Sequence, residues 1–114
     1  MKKLLTMFAM MLFSISFSQT TEGKATWYAY NSVRRTASGE IFKNNGMTCA
    51  SNIHKLGTML KVTNIENGKS VIVRVNDRGG FKSPKIVDLA KGAFTQIALT
   101  SKGVINVIVV VINN

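Results

Sequence analysis

The stretch KVTNIENGKSVIVRVNDRGGF, residues 61–81, carries the strongest fold signal in this sequence. Two alternating apolar runs are joined by Asn67-Gly68 and lead into a charged, glycine-rich corner. Asn and Gly both tolerate the positive φ of a type I′ turn, so the pattern predicts a β-hairpin with a two-residue turn.

The second strand of this hairpin has two chemically different faces. Period-2 geometry places Val71, Val73 and Val75 on one face, and Ile72 and Arg74 on the other. The valine face is therefore the predicted core side.

The corner that follows, NDRGG at residues 76–80, places the Asp77 carboxylate beside the Arg78 guanidinium. The adjoining glycines let the backbone bend sharply there. We therefore expect this corner to carry the chemistry of the protein.

Residues 1–18 have the pattern of a signal peptide. They begin with Lys2 and Lys3, continue with an uncharged apolar run over residues 4–13, and end in small residues before Gln19. A membrane span needs about 20 apolar residues, so a retained anchor is the less favoured alternative. We expect one domain over residues 19–114, too short a length for two.

The composition favours acidic partners outside the cytoplasm. Removing Lys2 and Lys3 from the 15 basic residues leaves 13 against five acidic ones, a formal net charge of +8. The basic residues are scattered, and an exported protein meets anionic envelope polymers, so we expect no nucleic acid partner. We also expect no stable membrane insertion after signal removal.

The single cysteine and the single histidine argue against a disulfide, a lipid anchor and a metal site. Cys49 is the single cysteine, so it cannot form an internal disulfide, and it lies too deep in the chain to be a lipoprotein acceptor. A buried thiol is expected, with a reactive one as the alternative. His54 is the single histidine and has no ligand cluster near it in sequence, so we expect no metal and no cofactor.

Short strands and one helix account for the rest of the chain. Strands are predicted at residues 24–30, 47–50, 84–89 and 104–112, and a short amphipathic helix at residues 90–99, which Gly92 weakens. Asp88 is then interpreted either as a helix-start residue or as a site residue. Many short strands in a small domain suggest a closed, mainly β barrel, which leaves no exposed edges.

Two further residues have both a structural and a functional interpretation. Tyr28 is either a core or rim aromatic or a platform on which a sugar ring stacks, with its hydroxyl in water. Glu40 lies in a turn-rich loop over residues 31–46 and is either a solvated surface carboxylate or part of a site.

At this point the sequence resembles the RlpA-like (rare lipoprotein A) family of double-psi β-barrels, relatives of the expansin N-terminal domain. The resemblance covers residues 23–111. Its carriers are GKATWY at 23–28, TASGE at 36–40, GT at 57–58, KVTN at 61–64, NGKS at 67–70, VRVNDRG at 73–79 and IVDL at 86–89.

The resemblance implies a six-stranded double-psi barrel with one short helix packed outside and a cleft for polysaccharide. It further implies an endolytic lytic transglycosylase that cleaves the MurNAc-GlcNAc bonds of peptidoglycan and leaves 1,6-anhydromuramic ends, in cell-wall remodelling or division. The implied catalytic carboxylates fall on Asp77 and Glu40, and Asp88 matches a cleft aspartate. We expect Asp77 to be the general acid/base and Glu40 the second carboxylate or a positioning group.

The sequence departs from the family pattern near these residues. Family enzymes commonly carry Thr-Ala-Ala-His where this chain has Thr-Cys-Ala-Ser at residues 48–51, so Ser51 replaces a histidine. A hydroxyl can hydrogen-bond a carboxylate but cannot carry a proton at neutral pH. Gly80 stands where a proline is common, which predicts a looser loop. We expect Asp88, Tyr28, Arg78 and Ser51 to contact substrate.

Three functions remain in competition. The first is a monomeric exported transglycosylase acting on glycan strands in the periplasm or the medium, and not a lipoprotein. The second is a non-catalytic, expansin-like module that binds or loosens the wall, and the third is a structural barrel that contacts other proteins. Fold alone does not decide between them, because function depends on the site residues.

Overall fold

The computed structural model describes residues 19–113, which form six strands, one short α-helix and one 3-10 turn. The predicted signal peptide lies outside the described residues. No helix in this part of the chain has the length and hydrophobicity that a membrane crossing requires. The strands are β1 Thr20–Tyr28, β2 Thr48–Ala50, β3 Met59–Asn64, β4 Ser70–Asp77, β5 Lys85–Ala90 and β6 Ile105–Asn113; the helix, α1, is Lys91–Thr95 and the 3-10 turn is Thr100–Lys102.

The six strands close into a barrel in the order β1-β5-β2-β4-β3-β6, and β6 pairs again with β1. The β1–β5 and β2–β4 pairs are parallel, and the other four pairs are antiparallel. The predicted closed, mainly β barrel with one short helix is confirmed.

Buried side chains from every strand fill the barrel, and they are aliphatic except for Cys49 of β2. The valine face of β4 is confirmed, because Val71, Val73 and Val75 are buried while Ile72 is exposed and Arg74 is half-buried. The predicted buried thiol is confirmed as well, since the free Cys49 is fully buried.

The predicted type I′ turn between β3 and β4 is wrong. Both central residues of such a turn need positive φ, but only Gly68, at φ 75°, has it. The strands end at Asn64 and resume at Ser70, and a five-residue loop is closed by the Gly68 N–H donating to the Asn64 carbonyl at 2.8 Å. Asn67 instead donates its side-chain amide to the Ile97 carbonyl, which ties the loop to the segment after α1.

The helix is shorter than predicted and Asp88 does not start it. Ala90 is the N-cap, and the N–H groups of Gln96 and Ile97 bond three residues back, which ends α1. Asp88 lies within β5, so its helix-start interpretation is wrong. Gly92 has a packing role, because a Cβ there would lie 2.7 Å from the Asn45 backbone.

Candidate active site

A β-bulge at the end of β4 decides which way Asp77 points. Cys49 pairs with Val75 and Ala50 with Asp77, so Asn76 is an extra residue on β4. Strict alternation would place Asp77 on the same side as Val75, inside the barrel. The extra residue reverses the alternation and turns the Asp77 side chain to the outer face.

The two aspartates belong to one cross-strand row on that face. Thr26 pairs with Asp88, Asp88 with Ala50, and Ala50 with Asp77, across β1, β5, β2 and β4. At about 4.8 Å per strand, the Cα atoms of the two aspartates lie about 10 Å apart. The side chain of Ala50, which lies between them, is small and buried.

Neutral donors surround the Asp77 carboxylate. Its Oδ1 accepts from the backbone N–H groups of Ala37 and Arg78, each at 2.9 Å. Its Oδ2 accepts from the Tyr28 hydroxyl at 3.0 Å. These three bonds fix the orientation of the carboxylate, and within the described residues no ion pair to it is found.

Asp88 has a different set of contacts. Its Oδ1 accepts from the Thr26 hydroxyl at 2.7 Å, and its Oδ2 lies 3.6 Å from the Lys85 ammonium. Lys85 is three residues away on the same strand and also lies over the Phe81 ring. Asp88 is thus hydrogen-bonded to Thr26 on β1 and ion-paired with Lys85 on its own strand.

Tyr28 links the two aspartates electrostatically. Burial, then the charge of Asp77 and its hydrogen bond, and then the charge of Asp88 raise the pKa of the Tyr28 hydroxyl well above its usual range. It therefore stays protonated and acts as a donor. Its ring stacks on Phe42 at a centroid distance of 4.6 Å and meets the edge of Tyr30 at 5.8 Å, so one ring face is already covered.

Glu40 lies in a separate ionic cluster. The Arg74 guanidinium donates to both carboxylate oxygens, at 2.7 and 3.1 Å, and the Ser38 hydroxyl donates at 3.3 Å. Hydrogen bonds from Arg74 and then Asn76 lower the pKa of Glu40 from 4.5 to about 2. Glu40 is therefore ionised at neutral pH and anchors the 36–40 loop to β4.

Ser51 is hydrogen-bonded through its backbone to Asp77 and Arg78 in the corner at residues 76–80. Its N–H donates to the Asp77 carbonyl at 3.0 Å, and its carbonyl accepts from the Arg78 guanidinium at 2.7 Å. The Ser51 side chain is fully buried, and its Oγ accepts from the N–H groups of Ile53 and His54, both at 3.1 Å. Arg78 is exposed at the rim.

The structure therefore brings together Tyr28, Asp77 and Asp88, with Arg78 beside them, and places the Ser51 side chain beneath the corner and Glu40 in its ion pair. Two paired carboxylates and a protonated phenol can move protons and stabilise positive charge. Within residues 19–113, no group of three His, Cys, Asp or Glu side chains is arranged to hold a metal ion.

Sequence reasoning missed Thr26, the Ala37 N–H and the bulge at Asn76. Thr26 could have been found, because it alternates with Ala25 and Trp27 and so shares a face with Tyr28. The Ala37 bond and the bulge depend on which strands pair, and no local sequence signal reports that.

A protein-family model described as "Lytic transglycolase" matches residues 20–109. Over 86 residues the chain is 48% identical to a Synechocystis protein named "Probable endolytic peptidoglycan transglycosylase RlpA", covering 75% of this chain and 27% of that protein. Over 90 residues it is 40% identical to "Endolytic peptidoglycan transglycosylase RlpA" of Campylobacter jejuni, covering 78% of this chain and 33% of that protein. The chain thus spans a third or less of the length of these two relatives.

Among solved structures, the barrel is similar to the apo form of an expansin from Clavibacter michiganensis. The TM-score is 0.67 at 25% sequence identity, and the likeness covers 84% of this chain and 52% of the expansin.

Proposed function

The chain belongs to the lytic transglycolase family of double-psi β-barrels, and on that premise we propose that it is an endolytic peptidoglycan lytic transglycosylase. The single observation that carries this proposal is the row that places Asp77 and Asp88 on one outer face, with the Tyr28 hydroxyl bonded to Asp77. Glycosidic cleavage uses two carboxyl groups that flank one bond, and Asp77 and Asp88 lie only two strands apart on that face.

We assign the proton transfers to Asp77. In its acid form it would protonate the leaving 4-oxygen of GlcNAc as the bond from C1 of MurNAc breaks. The 6-hydroxyl of the same muramic residue then attacks C1, and its proton returns to Asp77. One C–O bond breaks, another forms and no water is consumed, so Asp77 ends in the form in which it began.

Tyr28 offers a way for Asp77 to transfer protons although Ser51 stands where family enzymes commonly carry a histidine. A phenol hydroxyl can donate to an ionised carboxylate and can accept from a protonated one. The Tyr28 hydroxyl can therefore stay bonded to Asp77 in both protonation states by rotating, and the proton can cycle on Asp77 without a histidine at position 51.

We assign the second carboxylate to Asp88 and not to Glu40. An oxocarbenium-like transition state needs a negative charge close to C1. Asp88 lies in the row with Asp77, whereas both Glu40 oxygens are bonded to Arg74. Glu40 then positions the 36–40 loop, whose Ala37 N–H bonds Asp77.

The remaining parts of the proposal concern the substrate and the location. Arg78 and the exposed rim would contact the glycan strand, and Ser51 would act only by supporting Asp77. Peptidoglycan lies outside the cytoplasm, so we propose export by residues 1–18 to the periplasm or the medium, as a monomer. The only cysteine is buried in β2, which supports a form without a lipid anchor.

The test is incubation of the purified protein with intact sacculi and with amidase-treated sacculi, followed by mass spectrometry of the soluble products. We expect fragments with 1,6-anhydromuramic ends. Fragments with reducing ends instead would indicate hydrolysis and contradict the proposed reaction.

A second candidate, a non-catalytic module that binds or loosens the wall, is favoured by one observation, the likeness to an expansin. The same incubation separates the two candidates. Co-sedimentation of the protein with sacculi, without anhydro products under any of the conditions, would replace the first proposal with the second.

A further inference from the structure

Two asparagines of the chain are followed directly by glycine, Asn45 before Gly46 and Asn67 before Gly68. Both asparagines are exposed. Both glycine N–H groups donate to a backbone carbonyl of their own turn, Gly46 at 2.9 Å and Gly68 at 2.8 Å. The two pairs are therefore matched in sequence, exposure and backbone bonding.

The side chains of the two asparagines differ in their hydrogen bonds. The Asn67 amide donates to the Ile97 carbonyl, and its Oδ1 accepts from the Lys69 N–H, both at 2.9 Å. The Asn45 side chain has no hydrogen-bond partner among residues 19–113. The side chain of Asn67 is therefore held in one orientation, whereas that of Asn45 can rotate.

An Asn-Gly pair can lose ammonia without an enzyme. The backbone nitrogen of the glycine gives its proton to hydroxide and attacks the side-chain carbonyl carbon of the asparagine. The new C–N bond closes a succinimide ring, the bond to the side-chain NH2 breaks, and the leaving group takes a proton from water, which restores the hydroxide. Water then opens the ring at either carbonyl and gives aspartate or isoaspartate. Glycine favours the attack because it has no Cβ to obstruct its nitrogen and its backbone is the most mobile.

We propose that Asn45 is a site of spontaneous deamidation in the folded protein and that the fold protects Asn67. The attack requires the side chain to turn its carbonyl carbon toward the next backbone nitrogen. Asn45 can make that rotation without losing a side-chain bond, whereas Asn67 must first give up its bonds to Ile97 and Lys69. This modification does not depend on the proposed activity.

Deamidation at Asn45 would also affect α1. The N–H of Gly92 in α1 donates to the Asn44 carbonyl at 2.8 Å, and a Cβ at Gly92 would lie 2.7 Å from the Asn45 Cα. The helix thus packs directly on the backbone of this turn. Isoaspartate has its Cβ in the main chain, so it lengthens the backbone at this contact. The modified protein should therefore unfold at a lower temperature.

The test is incubation of the folded protein in warm, mildly alkaline buffer, followed by tryptic digestion and mass spectrometry. Cleavage after lysine places Asn45 in the peptide of residues 44–55 and Asn67 in that of residues 62–69. Each event replaces NH2 by OH, and fragment ions assign the mass change to one asparagine. We expect Asn45 to convert about tenfold faster than Asn67, because the reaction at Asn67 must first break hydrogen bonds.

The same incubation in concentrated guanidinium is the first control. Neither side chain is held in the unfolded chain, so the two asparagines should convert at similar rates there. Asn45→Gln is the second control, and it should suppress conversion at this position because glutamine has to close a larger ring. Asn45→Asp introduces the charge with a normal backbone, so it should unfold close to the wild-type temperature, whereas the incubated protein should unfold at a lower one.

Equal rates at Asn45 and Asn67 in the folded protein, or a faster rate at Asn67, would overturn the proposal. Conversion of Asn45 in guanidinium alone would overturn it too, because the fold would then protect both asparagines. An incubated protein that contains isoaspartate at position 45 and unfolds like Asn45→Asp would contradict the effect on α1.

Discussion

Asp77 and Glu40 are carboxylates on neighbouring parts of one face, and their partners differ in charge. Asp77 accepts from two backbone N–H groups and one phenol, all neutral. Glu40 accepts two bonds from one guanidinium. A group held by neutral donors keeps its position and can exchange a proton, whereas a bidentate ion pair keeps the carboxylate charged.

This difference in hydrogen-bond partners suits Asp77 to a reacting role and Glu40 to an anchoring role. Family resemblance alone assigns catalysis to both residues, because both occupy matching motif positions. The contacts divide the two roles, and five substitutions test that division.

Asp77→Asn should give the largest loss of activity. Removing a general acid/base lowers the rate by about 10² to 10⁴-fold, and we expect the upper half of that range because no second group replaces Asp77. The measurement is the rate of release of anhydromuropeptides from sacculi. Glu66→Gln is the matched acid-to-amide control, because Glu66 is highly exposed and its ion pair with Lys102 is long, at 3.7 Å. A wild-type rate for Asp77→Asn would remove Asp77 from the mechanism.

Asp88→Asn should lower the same rate by about 10²-fold, because charge stabilisation is lost while proton transfer by Asp77 remains. Substrate binding should change less than the turnover rate, since the charge is needed mainly in the transition state. If Glu40→Gln proved more damaging than Asp88→Asn, the assignment of the second carboxylate would be reversed.

Tyr28→Phe should lower the rate by about tenfold, because one hydrogen bond to a charged group is lost while the ring and its stacking on Phe42 remain. The pH profile of the rate gives a second readout. A profile that moves in Tyr28→Phe would support a role in proton transfer, whereas a purely structural role would leave the profile in place.

Glu40→Gln should have the smallest effect, a rate loss of a few-fold from a less well-ordered 36–40 loop. Both partners of the ion pair are more than a third exposed, so it contributes less than about 1 kcal/mol to the free energy of unfolding. Arg74→Lys should behave similarly, because lysine keeps the charge but not the bidentate geometry. A loss as large as that of Asp77→Asn would show that the division of roles is wrong.

The ion pair also has a defined pH dependence. The pKa of Glu40 is about 2, against 4.5 ordinarily. A carboxyl with a depressed pKa in the folded state stabilises the fold above its unfolded pKa, and loses that effect as the pH falls through its folded pKa. The difference in unfolding temperature between wild type and Glu40→Gln should therefore be constant above pH 4.5 and disappear by about pH 2.

Much of the fold could be predicted from sequence because its signals are local. Alternating valines in β4 and glycine-marked turns are read from neighbours in the chain. The turn at Asn67 was predicted wrongly because its side chain bonds Ile97, thirty residues away. The helix was predicted too long because its apolar spacing continues to Ala98, whereas the N–H groups of Gln96 and Ile97 already bond three residues back.

The site was predicted less completely than the fold. Asp77 stood out because a carboxylate follows an apolar strand and precedes glycines. The direction in which the Asp77 side chain points could not be predicted, because the bulge at Asn76 exists only where β2 and β4 pair. Arg74 was expected on the outer face, but its pairing with Glu40 across the loop has no sequence signature.

The position of β6 has a consequence for how the protein is made. The last strand of the described chain pairs with both the first strand and β3, so the barrel cannot close until that segment is available. Topologies dominated by such distant pairings fold slowly. A ribosome-bound chain lacking β6 has unpaired edges on β1 and β3, so the barrel stays open until β6 has been synthesised.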